Sequence, residues 1–247
     1  MKPFFSLLIL PFLASCGLYI DKPIKMSEFL AGDQPAKHLV ILLSGRGATE
    51  SYFHDQKWVS IAREHGSDVD FIAPYAHFGY YARQQLIPRL HEDVILPAKR
   101  KGYETISIAG ISMGGLGCLL VSNEFPDTID RIYLFSPYLG KDEVHEEIKA
   151  AGGLMNWDIK SNDAKDWNYF IWRRLKEIAT DPILKNKIFL AYGKQDRLRG
   201  HNLLARALPE KSVITIPGEH KDVIFTRLWG LMHQRGLFKK SGKIVSR

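Results

Sequence analysis

One short segment of the chain could supply a nucleophile. Ser112 stands in a G-x-S-x-G pattern between Gly110 and Gly114, directly after an apolar run and directly before a helix-like stretch. In that setting the serine occupies a tight turn that only small neighbours permit, and its hydroxyl is exposed at the start of the helix. The positive end of the helix dipole would favour negative charge that develops there. The segment therefore predicts a nucleophile for acyl transfer.

A serine hydroxyl is a weak nucleophile until a base removes its proton, so a histidine and an orienting acid are also required. Asp196 comes shortly after the apolar run 187–192, and His220 comes shortly after the next run, 212–217. If both runs are parallel strands, their carboxyl ends meet at the edge where Ser112 stands. We predict Ser112 as the nucleophile, His220 as the general base and Asp196 as the acid that orients it.

Other residues compete for the roles of base and acid. His201 falls between the two runs, and His233 lies far along the last helix-like stretch, so neither is placed as His220 is. Glu219 and Asp222 are so close to His220 in sequence that neither could easily turn back onto its ring. These four residues are the alternatives to the predicted pair.

The elements that must position these residues alternate between short apolar runs and longer helix-like stretches. This is the pattern of an α/β fold, with a mostly parallel central sheet and helices on both faces. The runs are nearly continuous in Ile, Leu, Val and Phe, as strands buried on both faces should be. The predicted strands are 38–44, 69–73, 105–110, 129–135, 187–192 and 212–217. The predicted helices are 52–65, 81–101, 113–124, 202–207 and 222–235, and Pro88 and Pro97 must break or kink the second of these.

Two aromatic stretches could lie near the predicted site. From 140 to 182 there are helical fragments and no clear strand, so we expect a small helical cap inserted at about 140–182, over the carboxyl edge of the sheet. Its Trp157 and Trp172 could line a substrate pocket or form the small core that holds the cap to the body. Tyr75, His77 and Tyr80 follow the second strand, and they either contact substrate or pack between the loop and the cap.

A serine, an acid and a histidine in this order, each expected at a strand end, resemble the α/β-hydrolase superfamily. The resemblance covers most of the chain, from about His38 to about Arg235. It implies the eight-stranded, mostly parallel sheet of that family. Only six strands are predicted here, and the stretch from Leu18 to Lys37 leaves little room for the usual first two. The sheet could therefore be trimmed at that edge.

The resemblance also implies an oxyanion hole built from two main-chain N–H groups. By position, one belongs to Met113, directly after the nucleophile. The other belongs to Arg46, in a Ser-Gly-Arg-Gly loop that stands where the family has a His-Gly-x loop. The guanidinium of Arg46 could meet a substrate carboxylate or phosphate, or it could be an ordinary salt-bridged or solvated side chain.

The first residues of the chain, 1–15, are typical of a signal peptide. Lys2 supplies positive charge, and the apolar run after it is shorter than the roughly 20 residues that a membrane-spanning helix needs. The run ends in Leu-Ala-Ser-Cys16, which resembles the lipobox of bacterial lipoproteins. We expect an exported protein, with a single domain over 16–247, held in the bacterial envelope by lipid on Cys16. Because Gly17 follows, the outer membrane is expected in a Gram-negative organism. An ordinary secretory signal or an uncleaved anchor is the alternative.

Composition sets further bounds. The chain has 247 residues, of which 45% are hydrophobic and 25% charged, and this fits one globular domain. A net charge of +7 is moderately basic, but no nucleic-acid motif accompanies it, so we expect no nucleic-acid partner. With lipid on Cys16, Cys118 is left single and is expected to be buried and inert. No metal or cofactor motif occurs, so none is predicted, and the oligomeric state is left open.

The resemblance implies hydrolysis of carboxylic esters, of small molecules or lipids, through an acyl-enzyme on Ser112. The same triad could serve an acyltransferase or a thioesterase, because the fold alone does not choose among these reactions. A non-catalytic envelope protein that binds ligands on the same scaffold is the alternative from another class.

Overall fold

A central sheet of seven strands organises the computed structural model, which describes residues 19–158 and 166–238. The strand order is β1-β3-β2-β4-β5-β6-β7, and every neighbouring pair is parallel except β1 with β3. The strands are β1 Met26–Phe29, β2 His38–Leu43, β3 Asp70–Pro74, β4 Thr105–Ile111, β5 Ile129–Phe135, β6 Ile188–Gly193 and β7 Val213–Ile216.

Helices cover both faces of this sheet. They are α1 Tyr52–Asp55, α2 Trp58–Glu64, α3 Phe78–Ala82, α4 Leu86–Leu90, α5 Leu96–Lys101, α6 Met113–Glu124, α7 Asp142–Ala150, α8 Trp167–Thr180, α9 His201–Ala205 and α10 Asp222–Gln234. A π-helical turn, His91–Ile95, joins α4 to α5, and short 3-10 turns occur at Leu154–Asn156, Leu184–Asn186 and Glu210–Ser212. The predicted α/β class is confirmed.

The apolar strands serve two cores at once. Along β2, Leu39 and Ile41 point into one core while Val40 and Leu42 point into the other. The first core packs the sheet against α4 to α8, and the second packs it against α1, α2 and α10. Strand β2 therefore has apolar residues at successive positions, because neither of its faces meets water.

The six predicted strands are confirmed, and the seventh, β1, was missed. Its sequence, Met-Ser-Glu-Phe, has no continuous apolar run and only half-buried or exposed side chains. An edge strand needs little burial to pair with its one neighbour, so periodicity gives no signal for it. The expectation that 18–37 leaves little room for strands was wrong for this one.

Two predicted helices are interrupted. The predicted helix 52–65 is divided into α1 and α2 by Lys57, which adopts a left-handed φ of 58°. Pro97 lies just beyond the π-helical turn. Proline has no N–H to donate and crowds the preceding turn, and the wider π-helical turn accommodates both effects. Pro88 falls within the first turn of α4, where a missing N–H costs nothing.

The segment predicted as a cap contributes to the body of the fold. Helix α8 buries Ile171, Leu175 and Ile178 in the first core, beside α6, and so connects β5 to β6 as a crossover helix. Helix α7 buries Val144 and Ile148 in the same core. This part of the predicted cap therefore belongs to the helical layer on one face of the sheet.

The N-terminal predictions fall on residues that the structure does not describe. Residues 1–15, expected to form the signal peptide, and the predicted lipidation site Cys16 lie outside the described ranges. Within those ranges, no helix has both the length and the apolar character needed to cross a bilayer.

Candidate active site

Ser112 occupies a strained turn between β4 and α6. Its backbone has φ 54° and ψ −114°, a conformation that residues with a Cβ rarely adopt. Two main-chain hydrogen bonds hold it in place. The N–H of Ser112 donates to the carbonyl of Phe135 at 2.9 Å, and the N–H of Tyr138 donates to the carbonyl of Ser112 at 2.8 Å. The turn places the serine at the start of α6, as predicted for a nucleophile elbow.

The glycines around Ser112 allow α6 to approach the strands closely. A Cβ on Gly114 would overlap the carbonyl of Leu43, at the end of β2. A Cβ on Gly110 would overlap the carbonyl of Gly114 and lie 2.6 Å from the sulfur of Cys118. Cys118 itself is fully buried, and burial raises the pKa of its thiol well above the ordinary value. The predicted inert character of this thiol agrees with its burial.

The loop after β2 lies directly against Ser112. A Cβ on Gly45 would be 3.5 Å from the Cβ of Ser112. The N–H of Ala48 donates to the carbonyl of Gly45 at 3.3 Å, and Gly47 has the left-handed φ of 80° that such a turn requires. Arg46 is therefore the second residue of a turn that lies beside Ser112. The N–H of Met113 lies in the first turn of α6, where no intrahelical acceptor exists. The loop that carries Arg46 and the helical turn that carries Met113 therefore both adjoin Ser112.

Asp196 and His220 form a hydrogen-bonded pair. The Nδ1 atom of His220 lies 2.9 and 3.0 Å from the two carboxylate oxygens of Asp196, and the side chains are 9% and 1% exposed respectively. Their loops are joined by main-chain bonds: the N–H of Gln195 donates to the carbonyl of Gly218 at 2.9 Å, and the N–H of Gly218 donates to the side chain of Gln195 at 2.6 Å. The ends of β6 and β7 are thus fixed to one another.

The environment of Asp196 keeps its carboxylate ionised. Burial raises the pKa of this carboxyl, but the hydrogen bonds from His220 and the N–H of Leu198, together with the nearby hydroxyl of Ser136, outweigh burial and hold the pKa below its ordinary value. An ionised carboxylate can only accept, so Nδ1 of His220 must carry the proton. The other ring nitrogen, Nε2, is then free to act as a base.

A serine that the sequence analysis overlooked lies between the nucleophile and the acid. Ser136 follows β5, is fully buried and has a left-handed φ of 44°. Its N–H donates to the carbonyl of Ala191 in β6 at 2.8 Å. Its hydroxyl makes no hydrogen bond of good geometry within the described residues, yet it is close enough to Asp196 to lower the pKa of that carboxyl. The signal that the sequence offered for Ser136 was its position directly after β5, a strand next to β4.

The serine and the histidine are not yet in hydrogen-bond contact. Within residues 19–158 and 166–238, no hydrogen bond joins Ser112 to His220. Catalytic hydrogen bonds of free enzymes are often long and tighten only when substrate binds. The structure thus brings together the acid and the base, and it places the strained nucleophile at the same edge of the sheet.

The alternative acids and bases are engaged elsewhere. The Nε2 atom of His201 is buried and lies 2.9 Å from the carbonyl of Pro137, and burial lowers the pKa of this histidine. His233 is buried near the end of α10. Glu219 pairs with Lys221 at 2.6 Å. The carboxylate of Asp222 accepts a hydrogen bond from Tyr52 at 2.7 Å.

Three of the five predicted substrate contacts are core residues. Trp157 and Trp172 are 3% and 0% exposed, and the indole N–H of Trp172 donates to the carbonyl of Leu139 at 2.7 Å. Tyr80 is 1% exposed, and its hydroxyl accepts from the N–H of Asp21. Burial leaves these rings no surface for a substrate, so the packing alternative describes them. Tyr75 and His77 are half-buried at the end of β3.

Two exposed aromatic rings stand near the nucleophile instead. Trp167, at the start of α8, is 40% exposed and lies 5.9 Å from the ring of Tyr138, whose N–H bonds to Ser112. Phe78, at the start of α3, is 43% exposed and lies under the guanidinium of Arg46 at 4.8 Å. Both belong to the aromatic stretches noted in the sequence, but exposure cannot be read from sequence.

Comparisons with known proteins agree with this geometry. Residues 73–215 match the model of a family described as "Putative esterase". No curated protein matches the chain in sequence. S-formylglutathione hydrolase (FrmB) from Staphylococcus aureus has 18% identity and a TM-score of 0.54, over 87% of this chain and 98% of that one.

Two further solved structures have the same fold. Est1E from Butyrivibrio proteoclasticus has 18% identity and a TM-score of 0.54, over 90% of this chain and 97% of that one. FphF, a fluorophosphonate-binding serine hydrolase from Staphylococcus aureus, has 20% identity and a TM-score of 0.53, over 87% and 94%. These likenesses show the α/β-hydrolase fold.

Proposed function

Because the chain belongs to this esterase family and is an ester-hydrolysing enzyme, we propose that it acts through an acyl-enzyme on Ser112. The observation that carries the proposal is the hydrogen bond between His220 and the ionised Asp196, at the sheet edge where Ser112 stands. It fixes the proton on Nδ1 and leaves Nε2 as the base. His220 therefore has the tautomer that serine activation requires.

The chemistry proceeds in two halves. The hydroxyl oxygen of Ser112 attacks the ester carbonyl carbon while its proton moves to Nε2 of His220. The N–H groups of Met113 and Arg46 then stabilise the oxyanion. When the tetrahedral intermediate collapses, the bond to the alcohol oxygen breaks, and His220 protonates the departing alcohol. In the second half a water molecule attacks the acyl-enzyme, His220 takes its proton, and the carboxylic acid leaves as Ser112 regains a proton.

The imidazolium that forms in each half is stabilised by Asp196. Because hydrogen bonds hold the pKa of this carboxyl below its ordinary value, the carboxylate stays negative while His220 is positively charged. The attraction between the two charges is strong because the side chain of Asp196 is almost fully buried.

The test is hydrolysis of p-nitrophenyl esters from acetate to palmitate by the wild-type chain and the Ser112→Ala variant. We expect kcat to fall by a factor of about 10⁶ in the variant, because the nucleophile is lost. Ser107→Ala, a buried serine within β4, is the matched control and should keep its activity.

A fluorophosphonate probe gives an independent readout, since it reacts with an activated serine. We expect labelling of the wild-type chain and none of Ser112→Ala. Folded wild-type protein that is not labelled, or a Ser112→Ala variant that hydrolyses esters as fast as wild type, would exclude the acyl-enzyme.

A further inference from the structure

We propose that the side chain of Arg46 binds a carboxylate on the acyl part of the substrate, so that the enzyme prefers monoesters of dicarboxylic acids. This inference rests on the proposed function, since it specifies the substrate of the same site. It extends the role of Arg46 from its main chain, which faces the oxyanion, to its guanidinium.

The position of Arg46 supplies the first argument. Its neighbour Gly45 packs against Ser112, since a Cβ added at Gly45 would lie 3.5 Å from the Cβ of Ser112. The side chain of Arg46 is exposed. A substrate whose carbonyl oxygen binds the main chain of this loop can therefore reach the guanidinium of Arg46 with a group a few bonds from its carbonyl carbon.

The contact with Phe78 supplies the second argument. The guanidinium carbon lies 4.8 Å from the centre of the ring, which is itself 43% exposed. A cation–π contact of this kind engages the ring face, which accepts no conventional hydrogen bond, so the guanidinium N–H groups stay available to an anion. The ring thus restricts the side chain in advance, which lowers the entropy cost of binding an anion.

The charge pairing around the site supplies the third argument. Two charged pairs lie on loops near this site: Glu219 pairs with Lys221 at 2.6 Å, and Arg199 lies 3.5 Å from Asp142. Across the part of the chain that the structure describes, Arg46 has neither an ion pair nor a side-chain hydrogen bond. Its planar donors match the two oxygens of a carboxylate.

The order of the strands assigns the anion to the acyl side. His220 follows β7 and protonates the departing alcohol, so the alcohol leaves on the β7 side of Ser112. Arg46 follows β2 and Phe78 follows β3, and both strands lie on the opposite side of β4. With the alcohol on the β7 side, we assign the acyl chain, the other carbon-bearing substituent of the ester carbonyl, to the side of Arg46.

The experiment compares two esters that differ only in the end of the acyl chain. These are the p-nitrophenyl monoester of adipic acid, with a terminal carboxylate, and p-nitrophenyl hexanoate, with a terminal methyl group. We expect the ratio of kcat/KM, adipate over hexanoate, to fall about tenfold in Arg46→Gln, because a charge-assisted hydrogen bond is lost. For p-acetoxybenzoate, whose carboxylate is on the leaving group, the ratio to p-nitrophenyl acetate should stay unchanged.

Arg100→Gln is the matched control. Arg100 is an exposed arginine at the end of α5, just before β4, and so lies at the other edge of the sheet. The Arg100→Gln substitution removes the same charge as Arg46→Gln. The ratio of kcat/KM, adipate over hexanoate, should nevertheless equal that of wild type in this variant. Phe78→Leu is a second variant, which should lower the ratio about threefold by releasing the guanidinium from the ring.

Other outcomes would overturn the inference. An unchanged ratio in folded Arg46→Gln and Phe78→Leu would exclude a carboxylate site. An equal loss on both esters would show that Arg46 acts on the oxyanion and not on the acyl chain. Wild-type protein that hydrolyses no ester, or a fully active Ser112→Ala variant, would instead contradict the proposed function.

Discussion

Ser136 connects the nucleophile to the acid through its main chain and its side chain. Its segment begins with Phe135, whose carbonyl accepts from Ser112, and ends with Tyr138, whose N–H donates back to Ser112. Between them, the Ser136 hydroxyl lies buried beside Asp196 and lowers the pKa of that carboxyl. A single short turn thus lies between Ser112 and Asp196, the proposed nucleophile and acid.

We expect Ser136→Ala to lower kcat about fivefold while KM stays nearly constant. The substitution removes a polar group that stabilises the carboxylate and, through it, the imidazolium that forms in the transition state. Serine and alanine both carry a Cβ, so the left-handed backbone is equally strained in the two proteins. Steady-state kinetics with a p-nitrophenyl ester, together with thermal denaturation, would measure the effect.

Ser212→Ala is the control for this prediction. Ser212 is also fully buried with an unpaired hydroxyl, but it precedes β7 and lies at the other edge of the sheet. It should change stability without changing kcat. Equal kcat values for Ser136→Ala and wild type would show that the hydroxyl does not support Asp196.

Two helical glycines, one at the start of α6 and one in α10, differ in how closely other atoms approach them. Gly114 is a helical glycine whose Cβ would overlap the main chain of β2. Gly230 is a helical glycine whose Cβ would have its nearest neighbour, a methyl group of Ile61, at 3.6 Å. The first is required by close packing, and the second is not.

We expect Gly114→Ala to lower the free energy of unfolding by about 3 kcal/mol or more, because main chain must move to admit the methyl group. Gly230→Ala should raise it by about 0.5 to 1 kcal/mol, because alanine favours the helix and its methyl group would make only an ordinary van der Waals contact with Ile61. Urea denaturation of both variants would measure these changes. A stable Gly114→Ala protein would mean that α6 can withdraw from β2.

Strands and helices with a clear apolar pattern could be predicted from the sequence. The elements that were missed or interrupted lack such a pattern for physical reasons. The strands β4 and β6, before Ser112 and Asp196, are almost wholly buried, so their runs are mostly apolar. Strand β7, before His220, is shorter and half-buried at alternate positions, but Val, Ile and Thr still mark it as a strand. Strand β1 lies at an edge and has no such run. The break at Lys57 depends on a left-handed backbone that its residue type does not suggest.

The site divides in the same way. The triad order follows from strand ends, which sequence can locate. Burial of a ring is a tertiary property, so the sequence could not separate Trp172, which is in the core, from Trp167, which is exposed. The role of Ser136 depends on the adjacency of β5 and β6, which is a property of the sheet order.

For the whole molecule, a buried histidine links stability to pH. His233 is 6% exposed, and burial, with smaller contributions from His65 and Arg63, lowers its pKa to about 3. In the unfolded chain a histidine has a pKa of about 6.5. Between these values the unfolded state binds one more proton than the folded state, so acidification favours unfolding.

We expect the free energy of unfolding to fall by about 1.4 kcal/mol for each pH unit below about 6.5 on account of His233 alone. In His233→Phe, whose ring can pack against Trp229 and Phe238 as the imidazole does, that contribution should be absent. Urea denaturation at several pH values would measure the slope.

His54→Phe is the control, because it makes the same substitution at a histidine that is exposed and not buried. The side chain of His54 is 78% exposed. In His54→Phe, the slope of the free energy of unfolding against pH should match that of wild type. A His233→Phe protein with the wild-type slope would assign the acid sensitivity to other buried groups.

The order of the site along the chain governs when activity can arise during synthesis. The loop with Arg46 and the turn with Ser112 are translated first, Asp196 comes much later, and His220 follows the last strand. Until β7 leaves the ribosome and pairs with β6, the nascent chain lacks the proposed base of Ser112. With the proposed triad, the growing polypeptide has no activity towards the esters of the cell that makes it until the final strand joins the sheet.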